Sequence, residues 1–130
     1  MLLWAASYVE NLVTHDDRQR RVNELLSLQK DDGGWSLSSL GNWEFRGPGG
    51  PATGNASDGY GTGFVTYVLR RSGVPADDAR ITRAIGWLKS NQRFHGGWFT
   101  PSQSNPSGHH SISRAGSSYA VMALMACDQP

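Results

Sequence analysis

The sequence predicts an all-α domain built from αα-hairpin repeats, with about two and a half hairpins in 130 residues. The first observation is an internal repeat, because residues 20–37 align with residues 83–100 at a constant offset of 63 without a gap. The second is that each copy places apolar residues at helical spacing before a Gly-Gly-Trp turn. A further apolar segment ends the sequence, so we treat residues 1–130 as a single repeat domain.

Each expected helix is supported by its own pattern. The helices are expected over residues 2–14, 17–30, 59–72, 78–92 and 116–127. The first, third and fifth carry few polar residues, as do helices buried on most sides, whereas the second and fourth are amphipathic. The fourth also has a clear start, because Asp77 and Asp78 after Pro75 suit the N-cap and first turn of a helix. The Gly-Gly pair after each amphipathic helix suits a helix end that needs positive φ angles.

Two long segments, residues 36–57 and 99–115, connect the hairpins. Both are rich in glycine, proline or serine, a composition that predicts loops. They are either plain surface loops or a lid or rim over a site. Trp43 and Phe45 in the first segment are the residues that favour a lid or rim.

The composition excludes several classes of protein. The formal net charge is +1, which leaves no excess of basic residues, so no nucleic-acid partner is expected. Cys127 stands alone, cannot form an internal disulfide, and is expected to be a small buried residue in a reducing, cytoplasmic compartment. No transmembrane segment or signal peptide is expected, so any membrane contact would be peripheral.

The paired turns carry a family resemblance. Residues 29–35 and 92–98 share the spacing Q-x4-G-W after an amphipathic helix. They resemble the QW repeats of the squalene-hopene and oxidosqualene cyclase superfamily, which includes the protein prenyltransferase β-subunits. The resemblance extends over residues 58–98 and implies a partial α/α toroid, with this chain as a fragment of a full one. The implied partners are the remaining repeats of a longer chain, or further copies of this chain in a homo-oligomer.

The repeat motif itself is predicted to be structural. Its residues are Gln29, Gly34, Trp35, Gln92, Gly97 and Trp98. A glutamine near a helix end can donate its amide N–H groups to free backbone carbonyls, and a tryptophan laid over that amide excludes water. Each motif is therefore expected to join one hairpin to the next.

The resemblance also concerns catalysis. Squalene-hopene type cyclases carry a D-x-D-D-T-A stretch, in which an acid protonates an alkene or epoxide while aromatic faces stabilise the carbocation. The matching stretch here begins at Asp58 and keeps Thr62, but Tyr60 and Gly61 replace the two later acids. A phenol is too weak an acid for that step, and Asp58 at a helix start is expected to be a carboxylate with a lowered pKa. No catalytic residue is therefore predicted.

An apolar, isoprenoid-like ligand is the small molecule that the resemblance implies. The residues expected to line its cavity are Asp58, Tyr60, Phe64, Tyr67 and Tyr119. The alternative is that this aromatic stripe at helical spacing belongs to the ordinary core.

No cofactor and no metal are expected, although the resemblance to prenyltransferases would imply a zinc held by Asp, Cys and His. His109 and His110 are adjacent and project in different directions, and Cys127 has no second cysteine near it. His95 and Asp32 occupy matching places in the two copies and are predicted to be turn residues, as is Asp31.

The sequence leaves three hypotheses for function. The chain is a cyclase-like toroid segment without cyclase activity of its own, or it is part of an active terpene cyclase, an isomerase, whose acid motif lies elsewhere. The third hypothesis is a non-catalytic repeat that binds a partner or has a purely structural role.

Overall fold

The computed structural model describes residues 1–41, 55–102 and 111–128. Within these ranges the regular secondary structure is helical, and no described residue belongs to a strand. The α-helices are α1 (Leu2–Ala6), α2 (His15–Ser27), α3 (Gly59–Arg71), α4 (Ala79–Ser90) and α5 (Ser111–Asp128), with a 3-10 helix at Leu37–Leu40. The predicted all-α class is confirmed, and the arrangement agrees with part of an α/α toroid.

The first helix is shorter than predicted. It ends at Ala6 instead of near residue 14, and Asn11 in the following segment has a positive φ of 59°. Arginine side chains bind the carbonyls at this point, because Arg18 donates to the Ala6 carbonyl and Arg71 donates to the next one. The apolar run therefore predicted the wrong length, since hydrogen bonds from other elements replace continuation of the helix.

The two long connections differ from the prediction in different ways. The first contains the short 3-10 helix, and its predicted lid residues Trp43 and Phe45 lie outside the described residues. In the second, α5 begins at Ser111 instead of residue 116, so the connection is shorter than predicted. Early serines of α5 favour this start, because Ser113 accepts the Thr100 N–H at 3.0 Å and fixes the helix to the preceding chain.

The starts of the two amphipathic helices follow local capping. α2 begins after Thr14, whose hydroxyl accepts the Asp17 N–H at 3.1 Å, two residues earlier than the predicted start at residue 17. α4 begins after Asp78, whose carboxylate accepts the Arg80 N–H at 2.8 Å. The sequence placed the N-cap and first turn at Asp77 and Asp78, and in the structure Asp78 is the N-cap, so this helix begins one residue later than predicted. Each cap satisfies an N–H that has no partner within its helix.

α3 is the central helix, and it packs most extensively against α5. The two backbones approach closely at small residues. A Cβ added at Gly63 would lie 2.5 Å from the Ala120 nitrogen, and one added at Gly116 would lie 2.8 Å from the Tyr60 nitrogen. Larger side chains at these glycines would force α3 and α5 apart, so the spacing of the helices depends on them.

Candidate functional site

Turn 1 (residues 29–35) joins the first hairpin to the second. The Gln29 side-chain nitrogen donates to the Gly33 carbonyl within the turn and to the Arg80 carbonyl at the start of α4, both at 2.8 Å. Trp35 is fully buried and donates its indole N–H to the Leu25 carbonyl of α2 at 2.7 Å. Turn 1 is thus held by hydrogen bonds to α2, the helix before it, and to α4, the second helix of the next hairpin.

Turn 2 (residues 92–98) repeats two of these hydrogen bonds, the one within the turn and the one to the preceding helix. The Gln92 amide donates to the Gly96 carbonyl at 2.8 Å, and the buried Trp98 donates its indole N–H to the Leu88 carbonyl of α4 at 2.7 Å. Among the described residues, no further helix accepts a hydrogen bond from the Gln92 amide. The two motifs therefore make the same hydrogen bonds within the turn and to the preceding helix. They differ in the bond to a later helix, which Gln29 makes to α4.

Asp32 connects turn 1 to two other elements. Its carboxylate accepts hydrogen bonds from the Gly34 N–H (3.0 Å), the Ser57 hydroxyl (2.7 Å) and the Trp87 indole N–H of α4 (3.1 Å). Partial burial acts to raise the pKa of Asp32, but these hydrogen bonds and the positive charge of Lys30 outweigh it, so the pKa is lowered. Asp32 is a charged connector between turn 1 and the second hairpin.

His95 stands in turn 2 where Asp32 stands in turn 1. Its Nδ1 accepts the Gly97 N–H at 3.3 Å, as Asp32 accepts the Gly34 N–H. Both side chains therefore bond within their turns. Asp32 also accepts a hydrogen bond from Trp87 of α4, whereas His95 makes no hydrogen bond to a further helix within the described ranges.

Asp58 lies buried at the start of α3, with 3% of its surface exposed. One carboxylate oxygen accepts the Gly61 N–H at 2.8 Å and the other accepts the Leu37 N–H at 2.6 Å. Burial raises the pKa of Asp58 above its ordinary value of 3.8, although its hydrogen bonds act to lower it. The expectation of a lowered pKa was therefore wrong, because the N–H groups do not fully replace the lost hydration. With both oxygens bonded to the backbone, Asp58 is an anchor between segments.

Half-buried aromatic rings on α1, α3 and α5 form one continuous surface, which we call the aromatic surface. It consists of Trp4, Tyr60, Phe64 and Tyr119. The Phe64 ring centre lies 4.9 Å from that of Tyr119, 5.8 Å from that of Tyr60 and 6.4 Å from that of Trp4. The rings of Tyr60 and Tyr119 are 5.2 Å apart in an edge-to-face pair. These separations lie in the range of about 4.5 to 7 Å that is favourable for aromatic pairs.

Tyr67, one of the predicted lining residues, lies further along α3. Its phenol oxygen is 3.0 Å from that of Tyr8, and the Arg71 guanidinium lies over the Tyr8 ring at 4.7 Å. The hydrogen bond to Tyr8, together with burial, raises the pKa of Tyr67. Tyr67 is thus placed beside the aromatic surface and bonded to the segment after α1.

A groove of about 340 Å³ lies next to the aromatic surface, between α1, α2, α3 and the 3-10 helix. We call it the α1–α3 groove. Its described lining residues are Met1, Leu2, Leu3, Trp4, Arg21, Glu24, Leu25, Leu28, Leu37, Leu40, Tyr60, Phe64, Val65 and Val68. Of the five predicted lining residues, the groove includes Tyr60 and Phe64; Tyr119 contacts both rings, and Asp58 and Tyr67 lie outside it.

Sequence analysis did not single out Trp4 and Arg21, which line this groove.

A second internal repeat was also missed in the sequence. The spacing of Asp58, Gly61 and Thr62 recurs as Ser113, Gly116 and Ser117. The repeat is structural. The Trp35 N–H donates to the Thr62 hydroxyl at 3.0 Å, and the Trp98 N–H donates to the Ser117 hydroxyl at 2.9 Å. An internal comparison at an offset of 55 would have revealed it.

The described residues contain no group of three metal-ligating side chains, and His109 and His110 lie outside them. Burial raises the pKa of the Cys127 thiol, against the opposing effect of the nearby Arg70 charge. Within the described residues, therefore, no set of side chains fits the zinc site that the prenyltransferase resemblance would imply. In the same described part of the chain, no helix is long and apolar enough to span a membrane.

Paired helices joined by repeated Gln-Trp turns, with an aromatic surface on α1, α3 and α5, define an αα-hairpin repeat protein whose arrangement is consistent with part of an α/α toroid. The model of the squalene-hopene cyclase C-terminal domain family matches residues 57–130. The chain belongs to this family. No match was found among the curated proteins or among the solved structures.

Proposed function

We propose that this chain is a cyclase-like repeat segment that binds an apolar, isoprenoid-like ligand without cyclising it on its own. The observation that carries the proposal is the position of Tyr60 and Phe64, which belong to the aromatic surface and also line the α1–α3 groove. Ligand pockets commonly have volumes of about 300 to 1,000 Å³ and are mostly apolar, with a few polar groups. The groove has this size and character.

Among the described residues, no side chain supports the role of an initiating acid. Asp58 has both oxygens bonded to backbone N–H groups and lies outside the groove. Burial and the neighbouring Tyr119 raise the pKa of the Tyr60 phenol, which makes it an even weaker acid. Glu24 is the one carboxylate among the described groove residues, and it is solvent-exposed. An acid strong enough to protonate an alkene needs a protonated, protected carboxyl group, and none of these groups provides it.

A second candidate function is to form part of the substrate-cavity wall of an active cyclase. The acid would then come from another part of a longer chain. The aromatic surface favours it, because ring faces stabilise cationic centres. Under this alternative a longer protein containing this segment cyclises squalene, and replacing Phe64 by leucine changes its product pattern. An unchanged product pattern in a folded variant would favour simple ligand binding.

Further repeats are the protein partner that we propose, and they dock at what we call the open end: turn 2 and the exposed face of α5. In turn 1, a Cβ added at Gly33 would lie 2.8 Å from the Arg83 backbone, whereas no atom of the described residues lies within 4 Å of the same point at Gly96. On α5, Val121 and Met125 are 47% and 57% exposed. Exposed apolar surface at the end of a repeat array favours burial by a further unit.

A helix of the α4 type is the occupant expected over turn 2. The test uses a synthetic peptide of residues 77–91, stapled between the exposed positions Thr82 and Gly86 to fix the helix. It is expected to bind the protein, with a shift of the His95 ring signals in NMR, and to bind less well when its own Arg83 is alanine. Self-association that abolishes peptide binding would point to a second copy as the occupant, and binding to phosphatidylcholine vesicles would point to a membrane surface.

Ligand binding is tested directly with farnesol, followed by quenching of tryptophan fluorescence. The Leu28→Trp variant, which fills the groove from a partly exposed position, is expected to lose binding while keeping the fold. Phe99→Leu is the matched control, because Phe99 is an exposed aromatic residue outside the groove. Equal binding by all three proteins would contradict the proposal.

A further inference from the structure

The two turns differ in hydrogen-bonding character at the place where turn 1 binds α4. Asp32 of turn 1 accepts the Trp87 indole N–H at 3.1 Å, whereas the equivalent residue of turn 2 is His95. From this exchange we infer that the helix docking on turn 2 carries an aspartate or a glutamate in the register of Trp87. The inference rests on the proposed docking at the open end and specifies the chemistry of that partner.

Turn 1 shows how a helix docks on such a motif. Arg83 of α4 donates to the carbonyls of Lys30 and Asp31 at 3.1 and 2.7 Å, and Trp87 lies one helical turn further along. The equivalent carbonyls of turn 2 are those of residues 93–94, and no described side chain donates to them. Turn 2 therefore presents the acceptors that Arg83 uses in turn 1, and its partner is expected to carry the same basic residue.

The His95 ring offers a donor to that partner. Its Nδ1 accepts the Gly97 N–H at 3.3 Å, so the neutral ring carries its proton on Nε2. No described residue accepts a hydrogen bond from Nε2. A carboxylate in the register of Trp87 would accept from it, whereas an indole N–H there would meet a second donor.

Two arginines add positive charge around His95. A pocket of about 570 Å³ beside turn 2 has Arg93, His95 and Arg114 among its lining residues. No carboxylate belongs to its described lining, and the adjoining sequence 103–110 contains no Asp or Glu. Arg93 lies over the Phe99 ring at 4.7 Å, and neither arginine takes part in a described ion pair. An acidic side chain entering this pocket would therefore meet a positive potential.

α2 is a helix of the inferred kind within the same chain. The offset of 63 places Arg20 at the position of Arg83 and Glu24 at the position of Trp87. Arg20 and Glu24 are both solvent-exposed, and Glu24 belongs to no described ion pair. The chain thus contains one amphipathic helix whose side chain matches the acceptor of turn 1 and another whose side chain matches the donor of turn 2.

The test uses the stapled peptide of residues 77–91 with Trp87 replaced by glutamate or by glutamine, which have nearly the same shape. Binding of each labelled peptide to the full chain is followed by fluorescence anisotropy. We expect Trp87→Glu to bind about three- to tenfold more tightly than Trp87→Gln, as for a hydrogen bond to a charged group. Ser90→Glu added to the Trp87→Gln peptide is the control, because it places the same charge at another exposed position. It is expected to change binding less than about twofold.

Variants of the protein test whether His95 contacts the acid. In His95→Asp the order of the two peptides should reverse, because a carboxylate accepts from the glutamine amide and repels glutamate. Arg93→Met and Arg114→Met should each reduce the preference for glutamate by about twofold or more. Lys89→Met should leave it unchanged, because Lys89 is exposed and lies outside the pocket. Equal binding of the two peptides to the unaltered protein, or a preference that survives His95→Asp in a folded protein, would overturn the inference.

The unaltered peptide separates this inference from the docking proposal. If it binds while the glutamate and glutamine peptides bind equally, the docking proposal stands and the acidic partner is wrong. If no peptide binds, the docking proposal fails and the inference fails with it. Self-association of the protein that is lost in Glu24→Gln would replace a further repeat by a second copy as the source of the acid.

Discussion

Asp58 and Ser113 have equivalent positions at the starts of α3 and α5. Asp58 accepts the N–H of Leu37, two residues after Trp35, and Ser113 accepts the N–H of Thr100, two residues after Trp98. A carboxylate in one repeat and a hydroxyl in the other therefore make the same connection. This equivalence explains why the position matching the first acid of the cyclase motif is buried and bonded to the backbone.

Removing these acceptors should destabilise the protein unequally. Asp58→Ala leaves the N–H groups of Leu37 and Gly61 without their acceptor, and we expect a loss of about 2 to 4 kcal/mol in the free energy of unfolding. Ser113→Ala leaves the Thr100 N–H unpaired and should cost about 1 to 2 kcal/mol. Urea unfolding followed by circular dichroism measures both. A larger effect at Ser113 would show that the two connections are not equivalent.

The stability contribution of Asp58 should depend on pH. Because its folded pKa is raised above 3.8, the native state binds more protons than the unfolded state between 3.8 and the folded pKa. Stability relative to Asp58→Asn is therefore expected to be greatest at low pH and to fall as the pH rises through this interval. Urea midpoints of both proteins, measured side by side from acid to neutral pH, give the difference. A difference that grows with pH would mean a lowered pKa.

The two motif glutamines should contribute differently. Gln29 bridges Gly33 and Arg80, whereas Gln92 bonds to Gly96 alone among the described carbonyls. We expect Gln29→Ala to lower the free energy of unfolding by about 1 to 3 kcal/mol and Gln92→Ala by about 0.5 to 1.5 kcal/mol. Thermal melts of the two variants provide the comparison. Equal losses would indicate that the bond to α4 adds nothing.

The two turn tryptophans should be large contributors of similar size. Trp35 and Trp98 are 0% and 2% exposed, and each donates its indole N–H to a helix carbonyl. Each change to alanine is expected to cost about 3 to 5 kcal/mol, as for other buried aromatic residues. Unchanged urea midpoints in both variants would contradict the burial and the repeat interpretation together.

Activity is expected to be absent in the isolated chain. Incubation with squalene, oxidosqualene or a diterpene diphosphate should yield no cyclised product, because no described groove residue supplies a protected acid. The assay extracts products and compares them with a heat-denatured control. Cyclised hydrocarbon that disappears on Asp58→Asn would identify Asp58 as the acid and reverse this expectation.

The sequence alone determined the all-α class and the paired turns, because helical periodicity and a repeated Gln-x4-Gly-Trp spacing are local signals. It also placed the start of α4 at Asp77 and Asp78, within one residue of the observed start, since capping depends on a few adjacent residues. Local signals could not give the end of α1, because Arg18 and Arg71 bind carbonyls there from distant positions in the chain.

Only the tertiary structure decided how the site is assembled. The pKa of Asp58 depends on burial that the folded chain imposes, and the capping pattern alone indicated the opposite direction. The groove brings Trp4 and Arg21 beside Tyr60 and Phe64, although no pattern in the sequence relates them. Their proximity arises from the packing of α1, α2 and α3, and such long-range contacts are not encoded by spacing within any one helix.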